Sequence, residues 1–175
     1  MIETLRLRLR PHQVADFNGY LPLWTLPEPA GMHAPMQLTV EEVWARLLRF
    51  VGHWSHFGYG LFLVEDRSSG EIVGEVGVAH FMRNLGPGFD DAPEAAWRVL
   101  VTRRGSGIAT EAMTAALEWF DRTIRCDRTV CLIHIANERS LRVAARLGFL
   151  PFGQCEFKGF PASLLERRND RAART

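Results

Sequence analysis

Arg104, Gly105, Ser106, Gly107, Ile108 and Ala109 lie where an extended run of residues gives way to a helical one. Such a junction leaves backbone N–H groups without intrahelical acceptors and sets the positive end of the helix dipole beside them, which together make an anion site. Glycine at 105 and 107 lets the backbone come close to a bulky anion and reach angles that other residues avoid. Arg104 adds a permanent cation at the rim. An ordinary strand-to-helix connection explains a Gly-x-Gly turn equally well. Two nucleotide classes fit poorly: Thr110 stands where a dinucleotide fingerprint needs its third glycine, and no Gly-Lys-Ser or Gly-Lys-Thr follows as a P-loop requires. A pyrophosphate ligand outside those classes is what remains.

The elements that must position this loop are legible from periodicity. Leu5, Leu7 and Leu9 alternate with arginines and predict a first strand that Pro11 stops. Residues 20–35 hold Pro22, Pro27, Pro29 and Pro35 and are expected to form an ordered loop without regular structure. Thr39 with Glu42 forms a capping box for an amphipathic helix over 40–54. Residues 60–65 and 72–81 read as a hairpin, and 84–93 as a long surface loop. A strand is expected over 94–101, a helix over 108–121 and a strand over 129–135. Asn137 caps a helix that ends at Gly148, and short strands are expected at 149–157 and 163–167. Residues 168–175 read as a polar tail. The order is that of a single mixed α/β (α+β) domain over 1–167, one sheet with helices on its faces.

Composition narrows the classes. A chain of 175 residues with 47% apolar content suffices for one core, and a net charge of +1 gives no reason to expect nucleic acid or an anionic membrane as partner. The start of the chain lacks the pattern of a secretory signal and no run is apolar enough for a membrane span. Cys126, Cys131 and Cys155 contain no Cys-x-x-Cys pair, so a disulfide framework and a zinc ribbon are both unsupported and the reducing cytoplasm is expected.

Arg104-x-x-Gly107-x-Ala109 resembles the Gln/Arg-x-x-Gly-x-Gly/Ala acetyl-CoA loop of the GNAT N-acetyltransferases. Asn137-Glu138-Arg139-Ser140 with the ending Leu147-Gly148-Phe149 resembles the subgroup that acetylates ribosomal-protein N-termini (RimJ/RimL-like), and Thr4-Leu5-Arg6-Leu7-Arg8 is similar to that subgroup's first strand. The resemblance implies a GNAT fold: a mostly antiparallel sheet, flanked by helices on both faces and splayed between its fourth strand (94–101) and fifth strand (129–135). Acetyl-CoA would lie in the gap and pass its acetyl group directly to a primary amine, either a protein N-terminus or a small amine such as a polyamine, aminoglycoside or amino-acid derivative.

By the same resemblance the pyrophosphate would meet Arg104, Gly105, Ser106, Gly107, Ile108, Ala109 and Thr110, and the pantetheine would pair with the strand near Arg98, Val99 and Val101. Glu94 is the candidate general base, with Glu75 competing. Asn137 would reach the pantetheine, and Ser140 the sulfur as a proton or hydrogen-bond donor. Ala144 occupies the position where many members carry a tyrosine acid, which leaves the general acid open. His53 and His56 share a helix face without a third metal ligand nearby, so no metal is expected. His134 is an outside candidate for proton transfer. Cys131 invites an acyl-enzyme reading, but lacks a paired base in sequence. Trp24, Trp44, Trp54, Phe57 and Tyr59 serve either an acceptor groove or the core. The alternative function is a non-catalytic acyl-CoA-binding regulator. Sheet edges leave room for a homodimer.

Overall fold

The computed structural model describes residues 1–27 and 37–169. Its strands are β1 (Ile2–Glu3), β2 (Leu7–Pro11), β3 (Leu61–Asp66), β4 (Ile72–Ala79), β5 (Glu94–Val99), β6 (Arg128–His134), β7 (Leu150–Phe157) and β8 (Phe160–Arg168). The helices are α1 (Phe17–Thr25), α2 (Val40–Phe57), α3 (Ile108–Thr123) and α4 (Glu138–Arg146). All strands join one sheet in the order β1-β2-β3-β4-β5-β6-β8-β7.

Every neighbouring pair runs antiparallel except β5 and β6, which are parallel and share a single registered pair, Glu94 with Val130. Each of these strands is held more firmly on its other side: β5 pairs with β4 from Glu94 to Val99, and β6 with β8 from Arg128 to His134. The two halves are therefore free to part beyond Glu94. The sheet splays there, as the resemblance implied.

Successive residues of a strand face opposite sides, and β3 shows it. Leu63 packs with Tyr20, Leu23 and Trp24 of α1 and Val43 and Leu47 of α2. Phe62 and Val64 pack with Met113, Ala116 and Phe120 of α3. Helices thus cover both faces. Thr39 and Glu42 form the expected capping box, the Glu42 amide donating to Thr39 Oγ1 at 3.2 Å and the Thr39 amide to Glu42 Oε2 at 2.8 Å.

Four expectations need correction. Residues 17–25 form a helix with Pro22 inside it, although the prolines argued against regular structure. Pro22 forfeits one i to i−4 bond, yet full burial of Tyr20 and near-full burial of Leu23 and Trp24 against the sheet hold the turn together; residues 28–36, the rest of that expected loop, lie outside the described residues. Leu5 is 90% exposed and stands outside the first strand, because the chain bends there, the Thr4 amide donating to Leu7 O at 2.9 Å. Val101 belongs to a 3-10 turn (Val101–Arg103) rather than to β5. At the other end β8 runs on to Arg168, and the buried Asn169 donates its amide to Asp127 O at 2.8 Å, so residues 168 and 169, expected as the start of a polar tail, belong to the fold; residues 170–175 of that expected tail lie outside the described residues. No helix among the described residues is long and apolar enough to cross a membrane.

Candidate active site

Gly107 caps α3 with φ +84°, and Gly105 before it has φ +83°. Left-handed backbone of this kind strains any residue with a Cβ. The first intrahelical bond runs from the Glu111 amide to Gly107 O at 3.0 Å, so the amides of Ile108, Ala109 and Thr110 precede it and have no acceptor among the described residues. They are donors waiting for an anion. A hollow of about 260 Å³ opens beside them, lined by Arg6, Thr102, Arg103, Arg104, Ser106 and Ile108 among others. The free amides and the helix start suit a pyrophosphate; of the lining arginines, Arg6 is paired with Glu111 and Arg103 with Glu71.

The loop is held by distant residues, Thr4 and Arg6, which the sequence offered only as part of a first strand. Arg6 donates from Nη1 to Ser106 O at 2.9 Å and from Nε to Glu111 Oε2 at 2.7 Å. Thr4 Oγ1 donates to the other Glu111 oxygen at 2.6 Å. Burial pushes the Glu111 carboxyl up, but the Thr4 and Arg6 bonds outweigh it and hold it below the ordinary range. An acid in the first turn of a helix was the only available signal. Arg104, expected as a rim cation, donates from Nε to Val99 O at 3.0 Å and so also ties the loop to the end of β5.

Beyond Glu94 the edge of β5 that faces β6 has no registered partner, so the main chain around Arg98 and Val99 borders the opening. The Arg98 side chain turns away, donating to Leu23 O at 2.6 Å and lying 4.3 Å from the Trp24 ring. Across the opening, Asn137 caps α4, its Oδ1 accepting from the Ser140 amide at 3.1 Å. Ala144 is fully buried. Glu94 starts β5 beside Val130, whereas Ser140 follows the far end of β6. At about 3.3 Å per residue, His134 is already roughly 13 Å along the strand from Val130. The two candidate catalytic side chains therefore approach the gap from opposite ends.

Glu94 is 4% exposed, and both of its oxygens accept from Arg83, at 2.8 and 2.7 Å. Burial raises its carboxyl pKa; the Arg83 hydrogen bonds and charge oppose this without cancelling it. Glu75 is more tightly enclosed. Tyr20 Oη donates to Glu75 Oε2, and Arg46 donates from Nη2 to Oε1 at 2.8 Å. Burial, the largest single influence, pushes this carboxyl up, but the charges of Arg46 and His12 and the hydrogen bonds from Arg46 and Tyr20 together outweigh it, and the net pKa is lowered. Glu75 thus fastens α1 and α2 to the sheet. The adjacent Gly77 is required by close approach: a Cβ there would meet Gly60 O at 2.6 Å.

The histidines and cysteine are accounted for by structure. His53 Nδ1 lies 2.7 Å from Tyr59 O and its Nε2 accepts from the His80 amide at 3.1 Å, which assigns the proton to Nδ1. Burial keeps its pKa low. No group able to hold a metal ion occurs among the described residues. His134 Nδ1 accepts from the Ala136 amide at 3.1 Å. Cys131 is 1% exposed, and burial, assisted by the Glu94 charge, pushes its thiol far up. Trp24 and Tyr59 are core; Trp44 and Phe57 are partly exposed on α2.

Residues 6–150 match the family described as Acetyltransferase (GNAT) domain. A solved structure assigned to the GnaT-family acetyltransferases from Bordetella pertussis is 39% identical, with 95% of this chain and 98% of that one covered at a TM-score of 0.87. The ribosomal-protein-S5-alanine acetyltransferase of Vibrio fischeri shares the fold at 22% identity, 97% and 96% coverage and TM-score 0.72. So does RimL, described as a ribosomal L7/L12 alpha-N-protein acetyltransferase in complex with coenzyme A, at 18% identity, 95% and 96% coverage and TM-score 0.72.

Proposed function

The chain belongs to the GNAT acetyltransferase family, and from that premise we propose that it is an acetyl-CoA-dependent N-acetyltransferase acting by direct transfer to a primary amine. The observation that carries this reading is the continuity of two features: the free amides at the start of α3 and the split that opens from Glu94 toward them along β5. One suits a pyrophosphate, the other an extended pantetheine arm.

Acetyl-CoA supplies the activated thioester, and the protein supplies position and protons. Residues 104–110 hold the diphosphate, the main chain at Val99 orients the arm, and Asn137 borders it. Glu94 accepts a proton from the incoming ammonium, directly or through one water, so that the neutral amine nitrogen bonds the acyl carbon as the carbon–sulfur bond breaks. Ser140, water or the amine itself returns a proton to the thiolate. Direct transfer accords with Cys131, whose buried thiol is a poor nucleophile.

We read the chain as one domain of the RimJ/RimL-like type, with a peptide N-terminus or a small amine as acceptor. Free Cys126, Cys131 and Cys155 accord with a reducing cytoplasm. Leu150 and Phe152, exposed on the edge strand β7, favour a homodimer. A second reading, an acyl-CoA-binding regulator, draws support from Ala144 and from the hold of Arg83 on Glu94.

Coenzyme A release from acetyl-CoA across a panel of amines and peptides separates the two. Turnover on any acceptor supports the transferase; tight coenzyme A binding without turnover overturns it in favour of the regulator.

A further inference from the structure

The side of α2 that looks onto the start of β5 carries one cation more than its carboxylates need. Arg46 is engaged by Glu75 at 2.8 Å and Arg83 by Glu94 at 2.7 Å. Arg49 stands beside both. Its guanidinium lies 4.8 Å from the Phe50 ring and 5.6 Å from the Phe81 ring, and Arg83 sits on the same Phe81 ring at 4.4 Å. Arg49 is exposed and has no hydrogen-bond or ion-pair partner among the described residues.

A further cation, Lys158, adjoins this cluster. Arg83 reaches the Phe157 ring at 5.2 Å, and Lys158, in the turn between β7 and β8, lies 5.7 Å from it. That turn stands near the first turn of α2: the Glu42 carboxyl is held low first by its Thr39 hydrogen bonds and also by the Lys158 charge. Desolvation, then the like charge of Arg46, disfavours charged Arg49, and Arg83 adds to this. The Glu75 charge favours it in part, but that carboxylate is held by Arg46 at 2.8 Å, and no carboxylate among the described residues pairs with Arg49 directly. Its planar fork, backed by aromatic rings, matches a carboxylate.

We infer that the acceptor amine carries a carboxylate, received by Arg49 above the Phe81 ring while the amine reaches Glu94. The inference rests on the acyl-transfer reading and narrows its acceptor class. Arg49 and Glu94 are both neighbours of Arg83, so one small molecule or one peptide end spans them. Polyamines and aminoglycosides meet the like charge of Arg49 and are disfavoured.

The test compares matched acceptors: an amino acid and its carboxamide, a peptide with glutamate at its second position and the same peptide with glutamine, and spermidine. A charge-assisted hydrogen bond contributes about tenfold or more. The expected result is a kcat/KM at least about tenfold higher for the acid of a matched pair, reduced by added salt and lost in Arg49→Gln, with Arg49→Lys retaining part of it. The free amino acid and the peptide pair show which source supplies the carboxylate. Equal use of acid and amide, best use of spermidine, or a preference that survives Arg49→Gln overturns the inference and leaves acyl transfer standing. No coenzyme A release with any acceptor overturns the acyl-transfer reading, and this inference with it.

Discussion

Arg83 grips both carboxylate oxygens of Glu94, Nε donating at 2.8 Å and Nη2 at 2.7 Å, at the point where β5 and β6 meet. The pair sets a balance between burial, which raises the carboxyl, and a fixed cation, which lowers it. Removing the cation moves the balance one way only. In Arg83→Gln the acidic limb of the pH–rate profile shifts to higher pH. Glu94→Gln removes that limb and lowers kcat about 10²-fold or more, as loss of a general base does, while coenzyme A affinity by calorimetry stays within about twofold. An unchanged profile in Glu94→Gln excludes Glu94 as the base.

Gly107 has a left-handed backbone, and a Cβ placed there meets only the flexible end of Arg6, at 3.4 Å. Crowding within the protein is therefore minor, and backbone strain and cover over the free amides are the costs. Gly107→Val is expected to lose about 1–2 kcal/mol of stability, from the left-handed backbone, and to bind coenzyme A at least about tenfold more weakly. Asparagine tolerates this backbone better, so Gly107→Asn should melt close to wild type and still bind more weakly. Normal binding by Gly107→Val contradicts the phosphate-cradle assignment.

Glu75, Arg46 and Tyr20 form a buried network in which every polar group depends on the others. Arg46→Met leaves Glu75 uncompensated and should cost about 3–5 kcal/mol in denaturant unfolding. The Glu75 carboxyl is lower in the folded than in the unfolded chain, so its stabilisation is present above the ordinary glutamate range and is lost as pH falls through the folded value. Melting temperature should accordingly drop on acidification below the ordinary range. The Glu75→Gln variant, already less stable, should show a flatter acid dependence; an equally steep one assigns the effect to other carboxylates.

Cys131 is buried with its thiol pushed up, whereas Cys126 and Cys155 are partly exposed. A thiol reagent should label the latter two in the native protein and Cys131 only on unfolding. Cys131→Ala should keep turnover within a few fold, and no acyl group should remain on the protein after acetyl-CoA is removed. Acetyl carried on Cys131 by mass spectrometry contradicts direct transfer.

Much of the fold could be read along the chain because its signals are local. The Thr39–Glu42 box starts α2, the apolar series from Ala109 to Phe120 predicts α3, and Gly105 and Gly107 mark its cradle, each within a few residues of the backbone it shapes. The same locality misled at Pro22, where the sequence shows a lost hydrogen bond but not the sheet against which Tyr20 and Trp24 are buried. Glu94 and Ser140 were nameable one by one, but not their placement toward opposite ends of the gap.

The sequence by itself determined the helix start, the strand periods and the residues offered to an anion, since backbone geometry and side-chain period follow from neighbouring residue types. Only the tertiary structure decided which charges are spent and which are free. Arg6 finds Glu111 across 105 positions, Arg46 finds Glu75 across 29, and Arg49 rests against Phe50 and Phe81 with no carboxylate paired to it among the described residues. Electrostatic partnership acts through distance and burial, and those exist only once the sheet and its covering helices have formed.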